Sequence, residues 1–252
     1  MKYLYRCLIL IFILVFTSPV HSDKSYRMNR VEIRAQLQVN GNMDVTEIRT
    51  YDFKGEFSYA YRTFPKSGPV AFYSFSITEN SQPYLLSDSE EPGTYWIKEK
   101  DKHTEVRWFF RAQDEERTFT LRYSVKDAVV RYQDAAVLHY QFISAEWTKP
   151  SWNVSLRLEP PIPLSPQQVK VWAHGPLWME SFIQEDGTIT GSCKKVPAST
   201  YFDIRALYPS QVFPESKFSH KAIKQTIMKE EAEWALEANQ RREKLVDRKS
   251  VV

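Results

Sequence analysis

A strict alternation of apolar and polar side chains constrains the fold of this chain more strongly than any other feature. Every second residue from 31 to 39 is apolar, namely Val31, Ile33, Ala35, Leu37 and Val39. A period of two is typical of a β-strand with one buried face. Asn40-Gly41 follows, and this dipeptide favours the positive φ angles of a tight hairpin turn. Residues 31–53 therefore predict two antiparallel strands joined by a short turn.

The strand that returns from this turn carries a carboxylate on its apolar face. Glu47 has the same parity as Val45, Tyr51 and Phe53, so its side chain is predicted to point inward with them. A buried charge is costly unless it is paired, and Arg62 offers a cation in the next segment. We therefore expect a structural ion pair between Glu47 and Arg62. The alternative is a general acid or base whose pKa is set by burial and a nearby cation.

The same pattern of short strands and turns continues as far as Pro209. About a dozen short segments with alternating or apolar character are separated by turn residues, as in Asp186-Gly187. This spacing predicts a mainly β fold, an antiparallel immunoglobulin-like β-sandwich. The aromatic content of 14% then indicates core packing, and the presence of only 7 glycines disfavours propeller blades. A proline-rich stretch, residues 160–166, could divide two small sandwiches, but one large β-unit is favoured.

The N-terminal residues 1–22 have the pattern of a signal peptide. Lys2 and Arg6 precede an apolar run, residues 8–16, and a cleavage sequence ends at Ser22. An uncleaved anchor is the alternative, but the run is shorter than the roughly 20 residues that cross a bilayer. We therefore expect residues 23–212 to be an exported, extracytoplasmic β-domain. Cleavage removes one cysteine and leaves Cys193 alone, so no internal disulfide is expected.

The C-terminal part changes to a helical period. Residues 213–246 are predicted to form a charged α-helix with Ser219 as its N-cap and apolar residues at three- to four-residue intervals. This helix either docks on the sandwich or leaves it as a stalk toward a membrane region. Residues 247–252 resemble an artefactual tail, which predicts that the chain is a fragment of a longer one.

Charge and motifs exclude several classes of function. The chain has 34 basic and 31 acidic residues, two of the basic ones within residues 1–22, so the body is nearly neutral and nucleic acid is not an expected partner. The sequence contains no Gly-x-Ser-x-Gly or His-Glu-x-x-His motif. No two of the scattered histidines have the spacing of metal ligands; they are His103, His139, His174 and His220. A hydrolytic set could be imagined from three residues, but their spacing fits no helix or strand that would bring them together: Asp134, His139 and Glu146. We predict no catalytic residue, metal ligand or cofactor.

Several segments together resemble one known family. They are residues 40–47 (NGNMDVTE), 53–57 (FKGEF), 61–65 (YRTFP), 117–123 (RTFTLRY), 132–134 (YQD) and 171–175 (VWAHG), with the helix around residues 230–241. Their order and spacing are similar to the N-terminal extracytoplasmic domain of bacterial predicted membrane proteins called domain of unknown function 2207. The resemblance implies a membrane anchor in later transmembrane helices, which this chain lacks, and it supplies no catalytic residues.

The expected function is therefore non-catalytic. The chain is predicted to be the extracytoplasmic β-sandwich of a membrane-anchored protein, used for interaction or assembly at the cell envelope. Its expected partners are the membrane, through a C-terminal region absent here, and an envelope protein or glycan. The alternative is a carbohydrate-binding or carbohydrate-active module, which requires at least three tryptophans in one exposed groove beside paired acids: Trp96, Trp108, Trp147, Trp152, Trp172 and Trp178 are the candidates. A weaker third hypothesis is a small-ligand carrier with an apolar cavity between the sheets.

Overall fold

The computed structural model describes residues 24–66 and 70–250, and side chains are described as far as residue 245. The predicted signal peptide, residues 1–22, lies outside the described residues. The predicted tail, residues 247–252, is described only as helical backbone through Ser250.

Within this range the chain is mainly β, with one C-terminal α-helix. Its elements are β1 (Ser25–Leu37), β2 (Met43–Lys54), β3 (Glu56–Pro65), β4 (Ala71–Glu79), β5 (Gln82–Pro83), β6 (Leu85–Leu86), β7 (Thr94–Glu99), β8 (His103–Gln113), β9 (Glu116–Lys126), β10 (Val129–Arg131), β11 (Ala136–Ile143), β12 (Ser151–Glu159), β13 (Lys170–His174), β14 (Glu180–Ile183), β15 (Ile189–Val196), β16 (Phe202–Tyr208) and α1 (Lys224–Ser250). Two 3-10 turns lie at Pro166–Gln168 and Ser210–Val212.

The described strands form three sheets. The first has eight strands in the order β14-β15-β12-β1-β2-β9-β4-β5, and two four-stranded sheets have the orders β10-β11-β16-β13 and β3-β8-β7-β6. Most pairings are antiparallel, but β1 pairs with β12 and β6 with β7 in parallel. The mainly β prediction with one C-terminal helix is confirmed. The immunoglobulin-like label stays a prediction, because the strands divide into three sheets.

The predicted first hairpin is confirmed. β1 pairs antiparallel with β2, with Ile33 opposite Glu47. In the turn, Gly41 has a φ of +82°, and its N–H donates to the carbonyl of Gln38 at 2.9 Å. A non-glycine residue adopts this φ only with strain, so the Asn-Gly signal reflects a local backbone requirement.

The core is continuous through all three sheets, and aromatic rings fill much of it. The ring of Phe64 on β3 packs against Tyr123 on β9, with centroids 4.8 Å apart. Trp108 on β8 packs against Phe119 on β9 in the same way, at 5.7 Å. Both contacts join the sheet β3-β8-β7-β6 to the eight-stranded sheet, and Leu138 and Phe202 of the third sheet belong to the same core. The prediction that aromatic content is mainly core packing is consistent with this arrangement.

The start of α1 differs from the prediction. The helix begins at Lys224 and not near Ser219, whose N–H instead donates to the carbonyl of Arg131. The carboxylate of Asp134, in the loop between β10 and β11, accepts hydrogen bonds from the N–H groups of Ile223 and Lys224 at 2.8 and 3.1 Å. The first backbone N–H groups of a helix lack partners within the helix. A side chain from a distant loop satisfies them here, so the helix starts where that loop can reach it.

Helix α1 is docked at its N-terminal end and exposed beyond it. Ile227 is buried against Ala135 and Leu207, and Glu231 is 2% exposed. From residue 232 to residue 245 every residue except the half-buried Ala238 is exposed. Contacts with the domain reach as far as Arg242, whose Nε donates to the carbonyl oxygen of Leu177 at 3.1 Å. The docking alternative therefore describes the helix as far as Arg242, and the stalk alternative stays a prediction. In the described parts of the chain, no helix combines the length and apolar character needed to span a bilayer.

Candidate functional site

Two clusters of charged side chains stand out in the described part of the chain, one buried and the other partly buried. We name the first the Glu47 network, comprising Glu47, Arg49, Arg62, Tyr123 and Tyr140. The second is the helix-junction cluster, which lies where α1 meets β11, β13 and β16 and comprises His139, His174, Asp203, Arg205, Glu230 and Glu231.

The structure brings the two residues of the predicted ion pair together. Glu47 is fully buried, and its Oε1 lies 3.5 Å from Arg62 Nη2. Its closer cation is Arg49, whose Nε and Nη2 lie 2.7 and 2.5 Å from Oε2. The hydroxyl of Tyr123 donates to Oε1 at 2.7 Å. Both oxygens of the carboxylate are therefore occupied by donors from the protein itself.

Arg49 was not predicted as a partner of Glu47, although the alternation of the strand indicates it. Arg49 lies two residues after Glu47 on the same strand, so the alternation that turns Glu47 inward also turns Arg49 inward. Arg49 is 5% exposed. Two charged residues in succession on an apolar face indicate an internal pair along the strand.

Arg62 connects all three sheets. Its own strand, β3, belongs to the sheet β3-β8-β7-β6, whereas Glu47 lies in the eight-stranded sheet. Its Nη2 also lies 3.5 Å from the carbonyl oxygen of Phe142 on β11, in the third sheet. Tyr140 on β11 and Tyr123 on β9 add a contact between hydroxyls at 3.4 Å. The Glu47 network therefore lies where the three sheets converge.

The electrostatics of the network keep Glu47 ionised. Burial alone would raise the pKa of its carboxyl, but Arg49, Arg62 and the Tyr123 hydroxyl together lower it. Burial raises the pKa of Tyr123 well above its ordinary value. A carboxylate with a lowered pKa and no solvent contact is poorly suited to exchange protons with a substrate. This geometry favours the ion-pair interpretation over a general acid or base.

The helix-junction cluster holds an imidazole between two carboxylates. His174 Nδ1 lies 2.6 Å from Asp203 Oδ1, and His174 Nε2 lies 2.9 Å from Glu231 Oε2. Arg205 Nη1 donates to Glu231 Oε1 at 3.1 Å and to Glu230 Oε2 at 2.8 Å. These contacts tie β13 and β16 to the first turns of α1.

Hydrogen bonds and opposite charges together outweigh the effect of burial on the pKa values of this cluster. Burial would lower the pKa of His174, but its bonds to Asp203 and Glu231 raise it. Burial would likewise raise the pKa of Asp203, but His139 and His174 lower it. His139 Nε2 lies 3.6 Å from Asp203 Oδ2. His139, His174 and Asp203 thus present three ligand atoms within 4.8 Å of one another, a set able to hold a metal ion.

The histidines that are scattered in the sequence are therefore not all separate in space. His139 and His174, 35 residues apart, have ring centroids 6.0 Å apart. Their strands are not adjacent, because β16 lies between them. Of the hydrolytic set considered from the sequence, Asp134 has another role, because its carboxylate caps α1.

The tryptophans do not form the surface that the carbohydrate hypothesis requires. Of the six candidates, Trp96 and Trp108 are buried and only Trp178 is exposed. Cations cover the ring of Trp152, with Arg27 at 4.3 Å and Lys195 at 4.7 Å from its centroid. These side chains are committed to contacts within the protein, which counts against a sugar-stacking groove built from them.

Two of the clefts on the described surface bear on the hypotheses from the sequence. One, of about 310 Å³, lies between β1, β2 and β3 and is lined mainly by aromatic side chains, among them Tyr26, Phe57 and Trp147. The other, of about 340 Å³, lies beside α1 and is lined by residues of the helix-junction cluster together with Trp234 and Tyr201. The small-ligand hypothesis stays a prediction that concerns the first cleft.

Comparison with known proteins identifies the family. The family described as "Predicted membrane protein (DUF2207) N-terminal domain" matches residues 27–208. The chain belongs to this family. The match begins in β1 and ends at the last residue of β16, so the DUF2207 domain comprises all three sheets and both charge clusters except the helix residues Glu230 and Glu231. Among curated proteins, no sequence matches this chain.

Solved structures with a similar arrangement are distant in sequence. An M1 zinc metallopeptidase from Deinococcus radiodurans is 9% identical, with a TM-score of 0.42 over 71% of this chain and 42% of that chain. Leukotriene A4 hydrolase from Saccharomyces cerevisiae is 10% identical, with a TM-score of 0.48 over 72% of this chain and 29% of that chain. This chain spans less than half the length of either, and likenesses at this level do not transfer an activity.

Proposed function

We propose that the DUF2207 domain of this chain is a non-catalytic module on the extracytoplasmic side of a membrane, where it serves interaction or assembly at the cell envelope. Membership in a family of predicted membrane proteins supports the membrane association. The signal-peptide pattern of residues 1–22 supports export.

The observation that carries this proposal is how α1 is attached. Its first turns are held by an apolar contact at Ile227 and by the buried carboxylate of Glu231, and Arg242 adds a hydrogen bond to the carbonyl oxygen of Leu177. The part from residue 232 to residue 245, in which every residue except Ala238 is exposed, is about 21 Å long at 1.5 Å per residue. A helix that is packed on the domain at its start and largely solvated along its C-terminal part suits a stalk that holds the domain at a set distance from its anchor.

Satisfied charges support a non-catalytic role. In the Glu47 network the carboxylate has three protein donors and no contact with solvent. A functional carboxylate is more often found in a cleft that a substrate can enter. The chemistry of this network therefore serves cohesion between sheets.

The surface beside α1 supports an interaction role. Phe182 on β14 and Trp234 on α1 are 59% and 45% exposed and line the same groove. Trp178, in the loop before β14, is 54% exposed. Exposed aromatic residues of this kind are enriched at protein interfaces. We expect the envelope partner to contact this aromatic surface, defined by Phe182 and Trp234.

In-cell photo-crosslinking tests the proposal. A photoreactive amino acid placed at Phe182 is expected to give a discrete adduct with one envelope component, recovered in the exported fraction. The matched control places the same amino acid at Arg122, an exposed position on β9 of the same sheet. Absence of an adduct at Phe182, or the same adducts at both positions, contradicts the proposal.

A further inference from the structure

We propose that His139, His174 and Asp203 form a binding site for a divalent transition-metal ion, with Zn²⁺ the best match, at the junction of the sheet with α1. This inference goes beyond the proposed function and does not depend on it. Imidazole and carboxylate ligands suit zinc and its neighbours in the first transition row.

Strand pairing places the three ligands on one face. β16 lies between β11 and β13. His174 is paired with Asp203, and His139 is paired with Arg205. Since Asp203 and Arg205 are two residues apart on one strand, their side chains share a face, which is the face that α1 covers. The ligands therefore come from three adjacent strands, and the sheet holds their spacing.

The distance between His139 and Asp203 suits a shared ion better than a direct bond. His139 Nε2 and Asp203 Oδ2 lie 3.6 Å apart, beyond the range of a hydrogen bond. Two ligands of a tetrahedral zinc with bonds of about 2.0–2.1 Å lie roughly 3.3 Å apart. The set of three ligand atoms lies within 4.8 Å, so adjustments of under about 1.5 Å bring them to this spacing.

A second observation is the hydrogen bond that orients the ring of His174. Metal-binding histidines commonly donate their other ring N–H to a carboxylate, which orients the ring. His174 Nε2 has this contact with Glu231 at 2.9 Å, and Glu231 is 2% exposed and held in turn by Arg205 at 3.1 Å. His174 Nδ1 is thereby directed toward Asp203 and His139.

The net charge of the cluster also favours a bound cation. Direct contacts join Asp203, Glu230, Glu231 and Arg205 around His174. Three carboxylates face one guanidinium, so the cluster is left with one negative charge when His174 is protonated and with two when it is neutral. A divalent cation neutralises this excess, which would otherwise be costly to bury.

Binding replaces one existing contact. The ion takes the place of the hydrogen bond between His174 Nδ1 and Asp203 Oδ1, and the proton held there passes to solvent. The adjoining cleft of about 340 Å³ opens beside His139, His174 and Asp203. Three protein ligands with access from a cleft leave a further coordination position for water or for a group from a partner.

Competition titration tests the site. The purified chain is freed of metal with a chelator, and Zn²⁺ is then added in the presence of a chromophoric chelator. We expect one ion per chain, and we expect His139→Ala to weaken the affinity at least about tenfold, since even outer partners of metal ligands contribute about 10–100-fold. His139 has a side chain that is 48% exposed, so this variant is expected to fold.

The control is His220→Ala, which removes an exposed histidine outside the cluster and is expected to leave the affinity unchanged. Co²⁺ provides a second readout, because a tetrahedral site gives a visible absorption band that His139→Ala should abolish. Failure to find saturable one-to-one binding overturns the proposal. Equal losses in the His139 and His220 variants overturn it as well, because they indicate non-specific surface binding.

Discussion

At the scale of single residues, Glu47 shows how a buried charge can organise a β-domain. Its carboxylate contacts Arg49 on its own strand, Arg62 on a second sheet and Tyr123 on a neighbouring strand. Arg62 extends this contact to the carbonyl of Phe142 on the third sheet. Hydrogen bonds depend on direction as well as distance, so these polar contacts favour one arrangement of the three sheets.

We predict that Glu47→Gln lowers the free energy of unfolding by about 3–5 kcal/mol, since it leaves the buried Arg49 and Arg62 without their counter-charge. Chemical denaturation measures this loss. Glu32→Gln is the matched control, because Glu32 and Arg34 form the same pair two residues apart on a strand, but at the surface. An exposed pair of this kind contributes about 0–1 kcal/mol.

The pH dependence of stability in the native chain and in Glu47→Gln tests the protonation state of Glu47. The pKa of Glu47 is lowered in the folded state, so its contribution to stability is present above the ordinary value of about 4.3. That contribution is lost as the pH falls through the lowered folded value. The stability difference between the native chain and Glu47→Gln should therefore shrink below about pH 4.3. A difference independent of pH would contradict the lowered pKa.

At the scale of elements, α1 depends on contacts from outside itself. The Asp134 carboxylate binds the N–H groups of Ile223 and Lys224, and Glu231 joins the helix to the sheet through His174 and Arg205. Its apolar contact with the sheet is small and centred on Ile227. Polar contacts therefore contribute to the docking of this helix alongside the apolar one.

We predict that Asp134→Ala destabilises the start of α1, at a cost of about 1 kcal/mol, the typical value of a helix cap. Hydrogen exchange at the backbone amides of the first helical turns should quicken while exchange in β9 is unchanged. Asp88→Ala, at an exposed loop position, serves as the control. Equal exchange rates in the Asp134 variant and the native chain would show that the cap contributes nothing.

At the scale of the whole molecule, the first hairpin turn is packed between other elements. A Cβ added to Gly41 would lie 2.6 Å from the carbonyl oxygen of Val129 and 2.7 Å from Cβ of Ser216. The carbonyl of Gly41 also accepts a hydrogen bond from the N–H of Val129 at 2.9 Å. The turn between β1 and β2 is thus an internal contact with β10 and with the segment that leads to α1.

We predict that Gly41→Ala is more destabilising than Gly93→Ala by about 1–3 kcal/mol, the usual cost of overpacking. The two glycines have nearly equal φ angles, +82° and +85°, but nothing lies within 4 Å of a Cβ added at Gly93. The comparison therefore separates steric contact from backbone strain. Equal midpoints of thermal unfolding for the two variants would show that the turn accommodates the added methyl group without cost.

Much of the local structure could be predicted because it depends on neighbours along the chain. Alternation identified β1 and β2, Asn40-Gly41 identified their turn, and the parity of Glu47 placed its side chain inward. The start of α1 was wrong for the opposite reason. Ser219 is a good capping residue by type, but the capping carboxylate comes from Asp134, 89 residues before Ile223.

By itself, the sequence determined the mainly β character, the first hairpin, the inward carboxylate and the family, since each follows from periodicity, turn chemistry or the order of short segments. Only the tertiary structure decided the parallel pairing of β1 with β12, the meeting of three sheets at Arg62 and the approach of His139 to His174. The physical reason is the distance along the chain over which the deciding interactions act. Backbone geometry imposes a period on each strand, but which strands become neighbours depends on burying all their apolar faces in one core.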